Sequence, residues 1–242
     1  KVACSFDKPI GDSNCVGCGQ CAAVCPTGAI IIKNDSHRLW KELNQEDTIA
    51  VAQVAPAVRV AVAKEFGYNG ENVMGKIVAA LRRIGFNYIF DTSTAADLTV
   101  MEESKEFADR LANGGKLPLF TSCCPAWSVM AKKLFPTLAP YISMALTPMV
   151  LTARMLKKDD PDACIAFIGP CAAKKLEASR RTIRSDVDFV LTFEELMGMF
   201  NAKGVTFEDI TDEEKVDLCE GTGDGRGFAV SGGVAKAVAD VI

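Results

Sequence analysis

Hydrophobic positions along the chain follow two periods. Four short apolar runs are typical of buried strands: residues 49–54, 116–121, 164–168 and 188–192. Six stretches carry apolar residues at helical spacing: residues 72–84, 99–112, 127–135, 147–157, 172–180 and 193–201. Because strands alternate with helices, the pattern predicts an α/β fold with mainly parallel sheets. In such sheets ligands bind beyond the carboxyl ends of the strands.

The character of the sequence changes twice along the chain. Residues 1–36 are rich in Cys and Gly and predict a small separate unit. Residues 37–47 are polar and predict a linker with a short helix at 39–43. Residues 48–242 carry the alternating pattern and predict the main domain. With 242 residues, the chain is long enough for one to two compact units that need no disulfides.

Charge and hydropathy exclude several classes of partner. The net charge is −4, so the chain has no electrostatic footprint for nucleic acid or an anionic membrane. The longest apolar stretch, residues 49–63, is interrupted by Gln53, Pro56 and Arg59, so it predicts no membrane span. No signal peptide precedes the first motif, and we expect a cytoplasmic protein. Since the chain begins at Lys1, we expect a processed or truncated product.

Cysteine and histidine usage points to thiolate chemistry. The chain has ten cysteines, most of them clustered, and a single histidine, His37, in a polar segment. Clustered cysteines in a chain of this size fit metal ligation in a reducing compartment better than a disulfide framework. One histidine excludes His-rich zinc sites and leaves little room for Ser-His-Asp catalysis. Soft sulfur ligands select iron–sulfur clusters, zinc or copper(I).

The first motif is a run of four cysteines with the spacing C-x₂-C-x₂-C-x₃-C-P: Cys15, Cys18, Cys21 and Cys25. The short spacers let thiolates converge on one [4Fe–4S] cluster while Gly17 and Gly19 let the chain wrap it closely. Zinc is the competing interpretation, but zinc sites normally use cysteine pairs well apart. In two-cluster modules the fourth cysteine of this run binds the other cluster. Its companion cysteines are absent here, so we expect that an upstream half of the module has been lost.

The second motif is Phe-Thr-Ser-Cys-Cys-Pro-Ala-Trp at residues 120–127. A predicted strand ends at Cys123 and Cys124, and Pro125 is a favoured first residue of a helix. A thiol at a helix N-terminus has a lowered pKa, which favours a ligating thiolate at Cys124. The alternative is a turn with two buried structural cysteines.

The third motif, Gly-Pro-Cys-Ala-Ala-Lys-Lys-Leu-Glu at residues 169–177, repeats this construction. A predicted strand leads into a helix that starts at a proline, with Cys171 in its first turn and Lys174 one turn later. Lys174 could pair with an anionic ligand held between the helix ends. The alternative is a capped surface helix with solvated lysines. Two junctions of the same build in one domain favour a shared site.

Together these motifs resemble the [FeFe]-hydrogenase family over nearly the whole chain. Residues 121–127 and 170–177 are similar to that family's first two active-site motifs, and the cysteine run and Ser-Gly-Gly-Val at 231–234 match in order. The resemblance implies a two-lobed catalytic domain of mainly parallel sheets over residues 48–242. It also implies part of a ferredoxin-like [4Fe–4S] module over residues 1–36. The implied activity is the reversible reduction of protons to H₂.

The resemblance implies a cofactor, the H-cluster, and roles for residues around it. The H-cluster joins a [4Fe–4S] cubane to a two-iron unit that carries carbon monoxide, cyanide and a dithiolate bridge. By position, Cys124 and Cys171 would bind the cubane, and Cys123 would be the last proton donor or acceptor. Lys174 would hydrogen-bond a cyanide, and Pro56 and Pro170 would also contact the cofactor.

A proton path and redox partners are implied as well. The path would include Glu103, Ser143 and Glu106, although on sequence alone the two glutamates suggest a solvated helix face. Their i, i+3 spacing places both on one face of a helix. Electrons would come from a ferredoxin or similar carrier through the cluster at the cysteine run, and dedicated maturation proteins would build the two-iron unit in an anaerobic cytoplasm.

The sequence departs from the family at several positions. The family's third motif, which supplies the other two cubane cysteines, is not in the sequence, and Cys164 and Cys219 do not match it. Gly169 replaces a methionine, and Ala57 replaces a serine that contacts a cyanide. These departures suggest a divergent subgroup and keep two other functions open. One is a weakly active hydrogen sensor, and the other is a non-catalytic iron–sulfur assembly protein, whose relatives usually lack the paired cysteines.

Overall fold

The computed structural model describes residues 4–68, 73–180, 185–211, 214, 218 and 221–242. Four strands form one sheet: β1 Ala50–Val54, β2 Tyr88–Asp91, β3 Cys164–Ile168 and β4 Phe189–Leu191. The α-helices are α1 Gln20–Ala23, α2 Ser36–Leu43, α3 Val58–Glu65, α4 Met74–Arg83, α5 Ser93–Ala112, α6 Pro125–Leu134, α7 Pro148–Asp159, α8 Ala173–Ser179, α9 Phe193–Lys203, α10 Gly223–Gly227 and α11 Gly233–Val241. Short 3₁₀ helices occur at Ser5–Asp7, Ile10–Asp12 and Pro136–Tyr141.

The sheet has the strand order β2-β1-β3-β4, and every pairing is parallel. Every residue of the two central strands, β1 and β3, is buried, as is typical of a parallel sheet. The edge strand β2 instead alternates, with Tyr88 and Phe90 exposed and Ile89 and Asp91 buried. The parallel sheet and its connecting helices confirm the predicted α/β class.

The predicted linker packs against the main domain. The helix in this segment, α2, is longer than predicted. Its Leu39 side chain is completely buried in the hydrophobic core of the main domain. Asp35 at the helix start is also buried, and its main-chain N–H donates to Glu195 Oε1 on α9 over 2.8 Å. Side chains of both polarities therefore join this segment to the sheet domain.

The prediction of a strand at residues 116–121 is wrong. Only Phe120 pairs there, in a single parallel bridge to Ile142. Pro118 has no N–H to donate, which limits ladder formation in this stretch. The bridge still matters, because the Ser143 N–H donates to the Phe120 carbonyl over 2.7 Å and brings Ser143 beside the cysteine pair.

The carboxyl-terminal segment folds onto α5. The Asp97 carboxylate accepts hydrogen bonds from the Thr222 N–H at 2.7 Å, the Thr222 hydroxyl at 2.6 Å and the Gly225 N–H at 2.8 Å. A side chain at Gly225 would meet the Ser93 carbonyl oxygen at 2.2 Å, so this approach requires glycine. The glycine-rich residues 221–227 contain a short helix, α10, which is followed by α11.

Several boundaries were not apparent in the sequence. β2 and α3 lie within stretches for which no element was predicted. The helix predicted from residue 72 begins at Met74, and residue 72 itself lies outside the described residues, as does Cys219. In the described part of the chain, no helix combines the length and apolarity that a membrane crossing needs.

Candidate functional site

The carboxyl edge of the sheet brings the ends of three strands together. Pro56 follows β1 and is partly buried, Asp91 ends β2, and Gly169 and Pro170 follow β3. Cys171 comes next, but not within the first turn of a helix as predicted. It lies two residues before the first residue of α8, and Ala172 between them is the N-cap. The Cys171 carbonyl accepts a hydrogen bond from the Lys174 N–H at 3.1 Å.

Cys124 is the N-cap of α6. Its backbone is extended, Pro125 follows as the first helical residue, and the Cys124 Sγ accepts from the Trp127 N–H at 3.4 Å. The helix therefore begins where the sequence predicted it. The exposed Cys124 sulfur therefore lies at the free amides of a helix start, which attract negatively charged groups.

Lys174 connects the two cysteine motifs. Its Nζ donates to the Cys123 carbonyl at 3.1 Å and to Glu177 Oε2 at 2.7 Å. Glu177 is buried, and its other oxygen accepts from the Thr147 hydroxyl at 2.9 Å. The cation is thus held by a paired carboxylate and lies directly beside the cysteine loop.

Cys123 is a partly buried free thiol. Burial raises its pKa to about 11, although nearby Lys174 acts in the opposite direction. The carboxylates of Glu103 and Glu177 raise the pKa further because a thiolate would face like charges. Cys123 therefore keeps its proton at neutral pH.

Glu103 lies on α5 with no exposed surface. Burial raises the pKa of its carboxyl group, and Glu106 raises it further. The Ser122 N–H, which donates to Glu103 Oε1 at 3.4 Å, and the Ser143 hydroxyl partly offset this effect. Among the described residues, Glu103 Oε2 has no hydrogen-bond partner.

Ser143 and Glu106 continue from Glu103 towards the surface. The buried Ser143 hydroxyl donates to Glu106 Oε2 at 2.8 Å, and the Met144 N–H donates to the same oxygen at 3.1 Å. Arg110 forms an ion pair with the other Glu106 oxygen. Glu106 lines an open surface cavity of about 500 Å³. The structure therefore brings the three predicted path residues together in the order Glu106, Ser143, Glu103.

The four-cysteine run lies against the start of α8. Gly17 and Gly19 have φ values of +70° and +81°, which glycine adopts without strain. A Cβ at Gly17 would contact Leu176 at 3.3 Å, and one at Gly19 would meet Ala172 at 3.1 Å. The loop that carries Cys18 therefore packs against the residue that follows Cys171.

Lys133, near the end of α6, holds the same run from a second direction. Its Nζ donates to the main-chain carbonyls of Gly11, Ser13 and Cys15 at 3.2, 2.7 and 3.1 Å. The cysteine run thus contacts both helices whose starts lie beside Cys124 and Cys171.

The donor chemistry of the run fits an iron–sulfur cluster. Cys15 and Cys25 are partly buried, Cys18 and Cys21 are exposed, and none is in a disulfide. The pKa of Cys25 is lowered to about 7, because the Thr27 hydroxyl and main-chain N–H groups, led by that of Ile30, stabilise the thiolate. Within the described ranges no three His, Cys, Asp or Glu side chains are arranged to hold a single metal ion.

The two helix-start motifs offer fewer candidate ligands than the cysteine run. Cys124 and Cys171 could supply two thiolates, half of the four that a [4Fe–4S] cubane takes. Lys174 adds a cation, and its third ammonium hydrogen has no acceptor among the described residues. These two cysteines and the Lys174 ammonium group fit part of the surroundings that an anionic iron–sulfur ligand needs.

Sequence reasoning missed several residues at the site. It assigned no role to Thr147, Arg110 or Lys133, which fix Glu177, Glu106 and the cysteine run. Their contacts are with residues or loops that sequence spacing does not connect to them, apart from Arg110, which lies one helical turn from Glu106. That i, i+4 spacing is the one signal that could have been recognised.

Family comparisons agree with the geometry. Residues 48–242 match the family described as iron only hydrogenase large subunit, C-terminal domain, and residues 9–31 match the 4Fe-4S binding domain. Over 98% of its length, the chain is 37% identical to the NADP-reducing hydrogenase subunit HndD of Solidesulfovibrio fructosivorans. Over 85%, it is 30% identical to the cytosolic iron-sulfur assembly component 3 of Bos taurus. The chain spans 44% and 48% of the lengths of these relatives.

A solved structure has the same fold. The apo [FeFe]-hydrogenase HydA1 from Chlamydomonas reinhardtii, variant C377H, superposes with a TM-score of 0.71 and 33% identity. The match covers 86% of this chain and 57% of that one. The fold and the resemblance to [FeFe]-hydrogenases are confirmed, and the chain belongs to the iron-only hydrogenase large-subunit family.

Proposed function

We propose that the chain is part of the catalytic subunit of an [FeFe]-hydrogenase that reversibly reduces protons to H₂. The observation that carries this proposal is the row of acidic and hydroxyl groups between an open cavity and the Cys123 thiol. A buried carboxyl group without a cation beside it is costly, and Glu103 is such a group. A proton relay gives Glu103 a role, whereas a purely structural site would not need it.

Each group in the row suits proton transfer. Glu106 would exchange protons with water in the cavity, and the Ser143 hydroxyl, which donates to Glu106 and acts on the Glu103 carboxyl group, would pass them inwards. The raised pKa of Glu103 lets it hold a proton at a pH at which an exposed carboxyl group has lost its own. Its Oε2, which has no partner among the described residues, could accept a hydrogen bond from a bridging water, and relays work directly or through one water.

The H-cluster is the proposed cofactor. Cys124 and Cys171 would bind its cubane, Lys174 would donate to a cyanide, and Pro56 and Pro170 would lie beside it. When bound, the H-cluster supplies the metal centre at which protons and electrons combine into H₂. Cys123 would hold the proton next to this centre, since its high pKa keeps the thiol protonated.

The cysteine run would carry the [4Fe–4S] cluster that supplies electrons. Cys15, Cys18, Cys21 and Cys25 are its proposed ligands. The contact between Gly19 and Ala172 supports a short route to the residue after Cys171. We expect a ferredoxin or a similar carrier as redox partner, maturation proteins for the H-cluster, and an anaerobic cytoplasm as the setting.

The test removes the Cys123 thiol from the complete protein. We expect Cys123→Ala to abolish nearly all H₂ evolution while the carbon monoxide and cyanide infrared bands persist. Cys164→Ala is the matched control, since Cys164 is a buried thiol at the start of β3 with a pKa raised by burial to about 12. Retained H₂ evolution in Cys123→Ala would refute the relay.

A role in iron–sulfur assembly is the second candidate, and the 30% identity to an assembly component favours it. An assembly protein would show no carbon monoxide or cyanide bands after maturation. A hydrogen sensor is the third, favoured by Gly169 and Ala57 at positions where the resemblance predicts other residues. Turnover comparable with that of standard hydrogenases would exclude the sensor.

A further inference from the structure

Position 169 requires glycine because a neighbouring side chain leaves no space for a Cβ, and not because of its backbone conformation. Its φ lies outside the left-handed region, and its N–H extends the β3–β4 pairing by donating to the Leu191 carbonyl at 3.0 Å. A Cβ at this position, however, would lie 2.7 Å from Phe167 Cε1 and 3.3 Å from the Ala55 Cβ. The Phe167 ring therefore occupies the space that a side chain at position 169 would take.

The ring reaches this space because of strand geometry. Residues two apart on a strand point to the same face, so Phe167 and position 169 share one side of the sheet. Phe167 is buried and pairs with Gln53 on one side and Val190 on the other, which fixes its backbone. A large side chain, that of Phe167, thus lies beside a glycine, Gly169, which has no side chain.

The same ring borders Lys174. The Lys174 Nζ lies 5.9 Å from the centroid of the Phe167 ring, within the range of a cation–π interaction. Glu177 and the Cys123 carbonyl take two of the three ammonium hydrogens. The Phe167 ring therefore limits the movement of the Lys174 ammonium group on a side where the group makes neither of these hydrogen bonds.

We propose that Phe167 replaces the side chain missing at Gly169 and acts as a positioning residue for Lys174. This inference rests on the proposed function, in which Lys174 donates to an anionic ligand of the cluster. A phenylalanine side chain has fewer rotatable bonds than a methionine side chain, so the Phe167 ring is the stiffer wall beside Lys174.

A double-mutant cycle in urea tests the shared space. Gly169→Met lowers the urea midpoint because the new side chain meets the ring, and Phe167→Ala lowers it because a cavity remains. Adding Phe167→Ala to Gly169→Met raises the midpoint again. Ile165→Ala is the control, since this buried residue on the same face does not touch Gly169, and its effect adds to that of Gly169→Met. An additive Phe167 effect overturns the inference.

The cycle remains decisive if Gly169→Met does not fold. Gly169→Ala then takes its place, because its Cβ alone already meets the ring. The contact with Lys174 has its own readout, the NMR signals of the Lys174 Hε protons, which lie near the ring. We expect Phe167→Leu to move these signals and Phe167→Tyr to preserve them. Unchanged signals in Phe167→Leu refute the positioning role.

The link to function is measured in the complete, matured protein. We expect Phe167→Leu to shift a cyanide stretching band and Phe167→Tyr to leave it in place. If the wild-type protein shows no cyanide band, the proposed function fails, while the urea cycle and the NMR signals still decide the role of Phe167. If the band is present and Phe167→Leu leaves it unmoved, the inference alone fails.

Discussion

Lys175 forms a buried ionic cluster that ties α2, α8 and α9 together. Its Nζ lies 2.9 Å from Glu195 Oε2 and 3.4 Å from Asp35 Oδ2 and also donates to the Val190 carbonyl. All three charged side chains are less than a tenth exposed. Lys175→Met keeps much of the apolar stem and removes the charge, so two carboxylates lose their buried cation.

The cost follows from what each carboxylate retains. Removing one partner of a buried pair costs about 3–5 kcal/mol because the remaining charge stays desolvated. Asp35 keeps two exposed partners, Lys33 at 3.1 Å and Arg38 at 3.4 Å. Glu195 keeps two main-chain N–H donors at 2.8 Å. These contacts place the expected loss at the lower end, about 3 kcal/mol.

Urea unfolding, followed by Trp40 fluorescence on α2, measures this loss. Arg38→Met is the control, since it removes an exposed partner of the same Asp35 and should cost less than about 1 kcal/mol. A loss of about 3 kcal/mol corresponds to a decrease in Tm of about 6–12 °C for a chain of this size. Equal losses in the two variants would show that burial does not set the energy of this cluster.

Three further predictions concern Asp97, Lys133 and Glu103. Asp97→Ala removes three hydrogen bonds and should cost about 2–3 kcal/mol, with faster hydrogen exchange in the carboxyl-terminal helices. Asp109→Ala, at an exposed position of the same helix, should change neither the stability nor the hydrogen exchange. Equal exchange in the two variants would show that the Asp97 hydrogen bonds do not hold the carboxyl-terminal helices. Lys133→Met should speed hydrogen exchange and proteolysis in the amino-terminal cysteine run, whereas Lys132→Met, an equal loss of charge, should not. Because burial raises the pKa of Glu103, the unfolded chain loses this proton at a lower pH than the folded chain, and stability falls as the pH rises above the ordinary value of 4.5. Glu103→Gln should therefore gain stability relative to the wild type as the pH rises above 4.5 in urea titrations, and a difference that does not change with pH would refute this.

Local signals in the sequence predicted the parts of the fold that depend on neighbouring residues. The strand at 164–168 agrees with β3 because a short apolar run between turn residues has few other solutions. The start of α6 follows from Pro125 and a cysteine that can accept a hydrogen bond. Such features need no knowledge of distant contacts.

The elements that were missed depend on such contacts. β2 is an edge strand of four residues with two exposed aromatic positions, so its pattern is weak, and its pairing with β1 defines it. The glycines of α10 suggest a loop, but the Gly225 N–H donates to Asp97, which lies more than a hundred residues away in the sequence. The same holds for Phe167, whose role becomes visible only when the space around Gly169 is known.

The position of Lys174 is set by contacts within the protein. Lys174 is fixed by Glu177, and Glu177 is fixed in turn by Thr147, so the ammonium group does not need a ligand to become ordered. A ligand that meets a fixed donor loses less free energy to side-chain ordering than one that must arrange a mobile lysine. Because Lys174 otherwise contacts the cysteine loop only through the main-chain carbonyl of Cys123, the cation should keep its place when the Cys123 or Cys124 side chain is substituted. The anchoring of Lys174 by Glu177 and Thr147 can therefore be tested by substitution separately from the proposed relay residues Glu103, Ser143 and Glu106.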